Sequence, residues 1–554
     1  MTRKQITRAL LCAVLAGSLI LPGCGLRSLL GAGNDGPAVV VSGKQDNGLA
    51  HNSAPTMTYE SYVAADGEMG AYYYVEEPGI DDPLPFNTEE YNVLKEHGFT
   101  SVASLPYSTF AADVDTASYC NLRRMINDGY KLEDIPNGAV RVEEMLNYFK
   151  YDYVAPKNGE LFGISAQVGD CPWNDQTKLL VMTLFTDATV PESAGNNFVF
   201  LIDVSGSMSG DDKLPLLQKS FGYLLDQLDD EDTVSIVTYS GQERVVLDGA
   251  KVKDRKTILK AIRSLEADGY TNGQAGMVKA YELAEKHYIK GGNNRIILAS
   301  DGDLNVGITS TSDLSEFVSQ KRESGVYLSV LGFGAGNYKD SKMEAIADDG
   351  NGCYYYIDCL EEAERIFGED LTSTLYTVAD DVKLQVEFNP AYVKAYRQIG
   401  YENRELATDE FKDDSVDAGE VGAGHSITVA YELVMNDSQM ELFTSDSRYG
   451  NNQAAGVQNG EWFNLSVRYK EPGGKVATQR DYPMGEDVYV GAAANAGDDW
   501  KFASCVIEFA MLCNDSENLG STTAQGLLET LAGMDFGTDE RREEFSELVD
   551  WLLG

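Results

Sequence analysis

Between about residues 193 and 378, short apolar runs alternate with stretches whose apolar residues recur every three or four positions. The runs at 198–202, 233–239, 295–299, 326–333 and 353–357 read as strands. Between them, Leu214, Leu217, Phe221, Leu224, Leu225 and Leu228 share one face of a helix that Asp211 or Asp212 would cap. Further helices are expected over 255–265, through His287, and over 313–324, 341–347 and 361–378. Strands that are apolar throughout, separated by amphipathic helices, imply a mostly parallel, doubly wound α/β sheet covered on both faces.

The pattern changes on either side. Residues 86–192 read as an N-terminal flanking domain. Its first helix has Tyr119, Leu122, Met125 and Ile126 on one face, with Asp115 or Thr116 as cap, and its second has Val142, Met145, Leu146 and Phe149. Strands are expected at 163–169 and 178–185. Residues 379–554 read as a β-rich domain, with alternating strands at 382–388, 426–434 and 462–469, that ends in helices near 500–514, 522–533 and 539–553. Residues 24–85, rich in Gly, Asn, Asp, Ala and Ser, hold no lasting period and read as a flexible tether; as a coil of about 60 residues it would span on the order of 40–45 Å.

Charge narrows the function. The 554-residue chain has 88 acidic against 44 basic residues, a formal charge of −44. Such a surface repels phosphate backbones, so no nucleic-acid partner is expected, and it attracts cations. The N-terminus carries Arg3, Lys4 and Arg8, then an apolar run from 9 to 21, shorter than the roughly 20 residues of a membrane span. The Leu21-Pro22-Gly23-Cys24 that follows resembles a bacterial lipobox. That resemblance implies a signal peptide over 1–23 and a lipid on Cys24, anchoring the chain to a membrane on its extracytoplasmic side. Of the remaining cysteines, Cys353 and Cys359 could pair across a turn. Cys505 and Cys513, about 12 Å apart along a helix, could not.

The chemistry gathers at the strand ends. Strand 198–202 runs into Asp203, Ser205 and Ser207, a carboxylate and two hydroxyls spaced two apart. In open α/β sheets ligands bind at such carboxyl ends, and hard oxygen donors suit Mg²⁺ or Ca²⁺. Thr271 stands in the glycine-rich stretch 268–276, and Asp301 follows strand 295–299. Asp303 either supports the ion's ligands from behind or caps a turn. The Asp113-x-Asp115 pair is open to the same two roles.

Three such loops in this order resemble the von Willebrand factor type A (VWA) domain and its metal-ion-dependent adhesion site (MIDAS). The flanking stretches STFAADVDTASYCNLRRMINDG and DVKLQVEFNPAYVKAYRQIGYENREL resemble those of a bacterial lipoprotein family built around such a domain, so the likeness spans most of 86–554. It implies a VWA domain over 193–378 and a divalent cation held by Asp203, Ser205, Ser207, Thr271 and Asp301. Mg²⁺ is expected there, with Mn²⁺ or Ca²⁺ as alternatives. One coordination position is left for a partner protein's Asp or Glu carboxylate. Direct and water-mediated ligation can exchange, and in relatives this shifts the last helix, here 361–378. The chain has no GxSxG, Walker A or HExxH signature, so no enzyme is expected. The expected function is metal-dependent protein binding at a surface, for adhesion or scaffolding. The alternative is a structural or signalling envelope protein whose metal only stabilises the fold.

Overall fold

The computed structural model describes residues 41–44, 57–63, 69–75, 89, 91 and 95–554, apart from 113–114, 190–194, 241, 269–272, 303–310, 337–338, 371–372, 374–375 and 443–455. The chain divides into two units, Met1–Pro85 and Phe86–Gly554. In the first, strands β1 (Val41–Lys44), β2 (Met57–Val63) and β3 (Met69–Val75) form an antiparallel sheet. In these three segments this corrects the tether expected over 24–85. Tyr59, Tyr62, Tyr72, Tyr73 and Tyr74 are strong strand formers, and the Gly- and Asn-rich connections masked them in the composition. Residues 1–23 and Cys24 lie outside the described residues.

The second unit begins with β4 (Thr100–Ser101), β5 (Tyr107–Ala111), α1 (Ala117–Asn127), α2 (Val142–Tyr148), β6 (Phe162–Asp170) and β7 (Lys178–Thr186). The central segment follows: β8 (Asn196–Asp203), α3 (Leu214–Gln227), β9 (Thr233–Tyr239), β10 (Arg244–Lys251), α4 (Arg255–Arg263), α5 (Gly273–Lys286), β11 (Asn293–Ser300), α6 (Thr311–Arg322), β12 (Tyr327–Phe333), α7 (Asp340–Asp349), β13 (Tyr354–Ile357) and α8 (Leu360–Glu364). Its sheet runs β10-β9-β8-β11-β12-β13, parallel except for the antiparallel edge β10. This is the doubly wound VWA-like fold. All eight residues of β8 are buried. Phe198, Phe200 and Ile202 enter the core beneath α3, and Val199 and Leu201 enter the core on the opposite face. The chain leaves β8 for β9 on one side and reaches β11 on the other, so the topological switch lies between β8 and β11.

Strands β14 (Thr377–Phe388), β15 (Val393–Ile399), β16 (Gly419–Gly422), β17 (Ser426–Met435), β18 (Glu461–Lys470) and β19 (Ala477–Gly485) precede α9 (Asp498–Cys513), α10 (Ala524–Ala532) and α11 (Glu540–Leu553). The β-rich part ending in helices is therefore present, but 86–192 and 379–554 are not separate domains. β5 pairs with β14 in one sheet, and β4, β6 and β7 share the other with β15 and β17. The two sheets enclose one core, with Phe110, Leu180 and Met182 beside Leu384, Val429 and Leu465. The opposite core joins α5 to α1, α2 and α9, so both flanks also brace the VWA sheet. Among the described residues no helix is long and apolar enough to cross a membrane.

The structure decides four local expectations. Of the helix expected over 361–378, α8 passes into a π turn at Arg365–Glu369, and Thr377 already belongs to β14. Lys213, not Asp211 or Asp212, occupies the N-cap of α3. Thr116 holds the N-cap position of α1 without a side-chain cap bond. No disulfide joins Cys353 to Cys359.

Candidate metal centre

β8 delivers Asp203 to the carboxyl edge of the sheet, next to Ser300 at the end of β11. The chain then turns sharply. The backbone N–H of Val204 donates to the Tyr239 carbonyl at 3.0 Å, and the Val204 carbonyl accepts from Asp268 at 2.7 Å. The metal loop is thereby tied to the end of β9 and to the start of the loop that carries Thr271. Thr271 itself, like Asp303 and Asp113, lies outside the described residues.

Four of the five expected ligands are described, and they converge. Asp203 is fully buried; its Oδ1 accepts from the Ser205 N–H at 2.8 Å and its Oδ2 from the Ser300 hydroxyl at 3.3 Å. Burial pushes its carboxyl up to about 7, and the charge of Asp301 adds to the rise. Ser205 and Ser207 bring their hydroxyl oxygens to 2.9 Å of each other. Asp301 is 1% exposed, its Oδ2 accepts from Lys213 Nζ at 2.9 Å, and its Oδ1 has no hydrogen-bond partner among the described residues. Tyr239 packs beneath both carboxylates; its phenol is pushed well up by burial and then by Asp203. An orphaned, buried carboxylate oxygen is costly. Two buried carboxylates with a single lysine are under-compensated, and two hydroxyls stand ready beside them. Hard oxygen donors of this kind fit a divalent cation.

Among the described residues two other acidic groups have ligand-like spacing, Asp115 with Glu144 and Glu344, and Cys120 with Asp358 and Glu362. Both are already filled by arginine. Arg141 pairs with Glu144 and, at 2.7 Å, with Asp340, and Arg404 reaches Asp115 at 3.0 Å and Glu344 at 2.8 Å. Asp115 also accepts from the Tyr354 N–H at 3.0 Å, so it fastens the flank to β13, while Thr116 holds the N-cap position of α1. Arg123 pairs with Asp358 at 2.6 Å, Glu362 at 3.2 Å and Glu544 at 3.0 Å. These networks bind the flanks to the VWA sheet. Beside the metal edge a cleft of about 520 Å³ is lined by Asp212, Ala335, Tyr356 and Asp358 on one side and by Arg123 and Arg124 of α1 on the other. Sequence reasoning missed Lys213. Its only local signal was a lysine set at the start of a buried helix, just before Pro215 at the helix N-terminus.

The von Willebrand factor type A domain family matches residues 197–369. The family described as von Willebrand factor matches 85–181, and "Uncharacterized protein YfbK, C-terminal" matches 373–552. Over 478 residues the chain is 40% identical to Uncharacterized protein YfbK of Escherichia coli (strain K12), covering 84% of this chain and 81% of that protein. Human inter-alpha-trypsin inhibitor heavy chain H3 is 24% identical over 278 residues, 46% of this chain and 30% of its own length. Among solved structures, the von Willebrand factor type A protein from Catenulispora acidiphila covers 72% of this chain with 91% of its own, at 16% identity and a TM-score of 0.40.

Proposed function

Because this chain belongs to the YfbK family, with a von Willebrand factor type A domain at its centre, we propose that it is a metal-dependent protein-binding module. In this proposal Asp203, Ser205, Ser207, Thr271 and Asp301 hold a divalent cation, Mg²⁺ before Mn²⁺ or Ca²⁺, and the cation takes an Asp or Glu carboxylate from a partner protein. The role is adhesion or scaffolding, with no catalysis. The lipobox-like Leu21-Pro22-Gly23-Cys24 supports an anchored, extracytoplasmic location.

One observation carries the proposal. At the topological switch of the sheet, the buried Asp301 Oδ1 has no hydrogen-bond partner among the described residues, beside a buried Asp203 and two serine hydroxyls. Few charged ligands leave a cation electrophilic and able to take a further carboxylate.

The clamped last helix favours a second reading. Glu362 on α8 is held by Arg123, Arg365 and Tyr148, which suits a metal that stabilises the fold without moving that helix. One experiment separates the two. Mg²⁺ or Mn²⁺ is expected to raise the melting temperature of the parent, and Asp203→Ala to abolish that rise while leaving the EDTA melt intact. Affinity capture from surface extracts, lost with EDTA, supports partner binding. Capture that persists in EDTA, with stabilisation intact, leaves only the structural role.

A further inference from the structure

We propose that Lys213 is a fixed counter-charge of the metal centre, setting how much positive charge a bound divalent cation presents to a partner's carboxylate. The inference rests on the metal-binding reading above.

Lys213 is held in place from three directions. It sits at the N-cap of α3 with φ −120° and ψ −114°, outside the common backbone regions. Its stem lies against Gly334, where a Cβ would stand 2.2 Å from Lys213 Cε and 2.4 Å from Cγ; Gly334 has φ +70°. Its ammonium meets Asp301 Oδ2 at 2.9 Å with side-chain exposures of 11% and 0%. Asp301 is the only carboxylate among the described residues within ion-pair distance of it. A lysine this buried, threaded past a glycine to a single acceptor 88 residues away, is built into the site.

The charge count gives the consequence. With a cation bound, Asp203 and Asp301 are both ionised and carry two negative charges, and Lys213 returns one. A divalent cation on the full set leaves one net positive charge; on the carboxylates alone it would leave none. Removing the lysine charge therefore moves two affinities in opposite directions. The cation binds more tightly, and the carboxylate that follows it binds less tightly. Even at the dielectric of bulk water, about 80, one unit charge about 6 Å away shifts a divalent cation's affinity by about tenfold, and a lower effective dielectric enlarges the shift. A lysine that only packs would move neither affinity in this pattern.

The test uses the full chain, its Lys213→Met variant and Lys213→Gln, which keeps a donor for Oδ2 and removes the charge. Mn²⁺ alone is titrated by calorimetry, and acetate is then titrated onto the Mn²⁺-loaded proteins by water-proton relaxation. Both variants are expected to bind Mn²⁺ about tenfold more tightly and acetate several-fold more weakly, and to melt lower in EDTA. Unchanged or weaker Mn²⁺ binding in a variant that melts cooperatively in EDTA overturns the inference, as does unchanged acetate binding. If neither variant folds in EDTA, refolding on Mn²⁺ addition supports it and no rescue overturns it. A parent that takes up no Mn²⁺ refutes the metal-binding reading itself, a result distinct from either.

Discussion

Glu362 is the residue through which the last helix of the VWA segment is fixed, and its replacement by Gln tests that fixture. It is 1% exposed and accepts from Arg123 Nη2 at 3.2 Å, the Tyr148 hydroxyl at 2.9 Å and Arg365 Nε at 2.8 Å. Burial alone would push its carboxyl up. The charges of Arg365 and then Arg123 outweigh burial and hold it down at about 2, against an ordinary 4.5. A drop of that size corresponds to about 3 kcal/mol of preference for the ionised form. It agrees with the roughly 3–5 kcal/mol lost when one partner of a buried ion pair is removed. A carboxyl whose folded value is depressed stabilises the fold above its unfolded value of 4.5, and that contribution is lost as the pH falls through 2. Urea unfolding followed by the fluorescence of the buried Trp173 and Trp500 should therefore show Glu362→Gln less stable by about 3 kcal/mol at pH 7 and by about half that at pH 3. A loss under about 1 kcal/mol at pH 7, or an equal loss at both pH values, would refute the assignment of Glu362 as a charge-paired clamp.

Two further outcomes are expected. Gly334→Ala should lower stability by about 2 kcal/mol, because alanine is strained at φ +70° and its methyl would dislodge Lys213 from Asp301; an unchanged melt would show that the lysine yields freely. Burial first, and each residue's acidic neighbours next, push Glu143 up to about 8 and Glu402 up to about 7. The folded state thus keeps protons that the unfolded chain gives up, and this pair's contribution, complete below 4.5, is lost as pH rises through 7 to 8. Glu143→Gln should flatten the decline of melting temperature between about pH 5 and 8, and a slope equal to the parent's would contradict it.

The parallel sheet was legible because its strands, such as β8, are buried on both faces and so read as unbroken apolar runs. The Asp203, Ser205, Ser207 and Asp301 positions were legible for a related reason: ligands stand where such strands end. The last helix was misread at both its regularity and its end: Ile366 and Phe367 keep a helical spacing although the turn at Arg365–Glu369 is π, and Thr377, with a neighbouring Val378 that suits helix or strand alike, already belongs to β14. The sharing of sheets by the two flanks was hidden because alternation marks a strand and not its neighbour. Lys213 was illegible for a similar reason. Nothing near it in sequence shows that its ammonium meets Asp301.

The pairing of β5 with β14 also sets an order of events during synthesis. Tyr107 lies opposite Glu387, so β5 has no neighbour on that edge until the chain has grown by 280 residues. At about 5–20 residues per second that is roughly 15–60 s. The VWA strands, nearer to one another in sequence, can assemble meanwhile, while the amino-terminal strands wait with open edges. Such edges are templates for mispairing with another chain. The β sandwich is thus completed only after the ribosome has passed β14, and the last-made part of the protein closes the first.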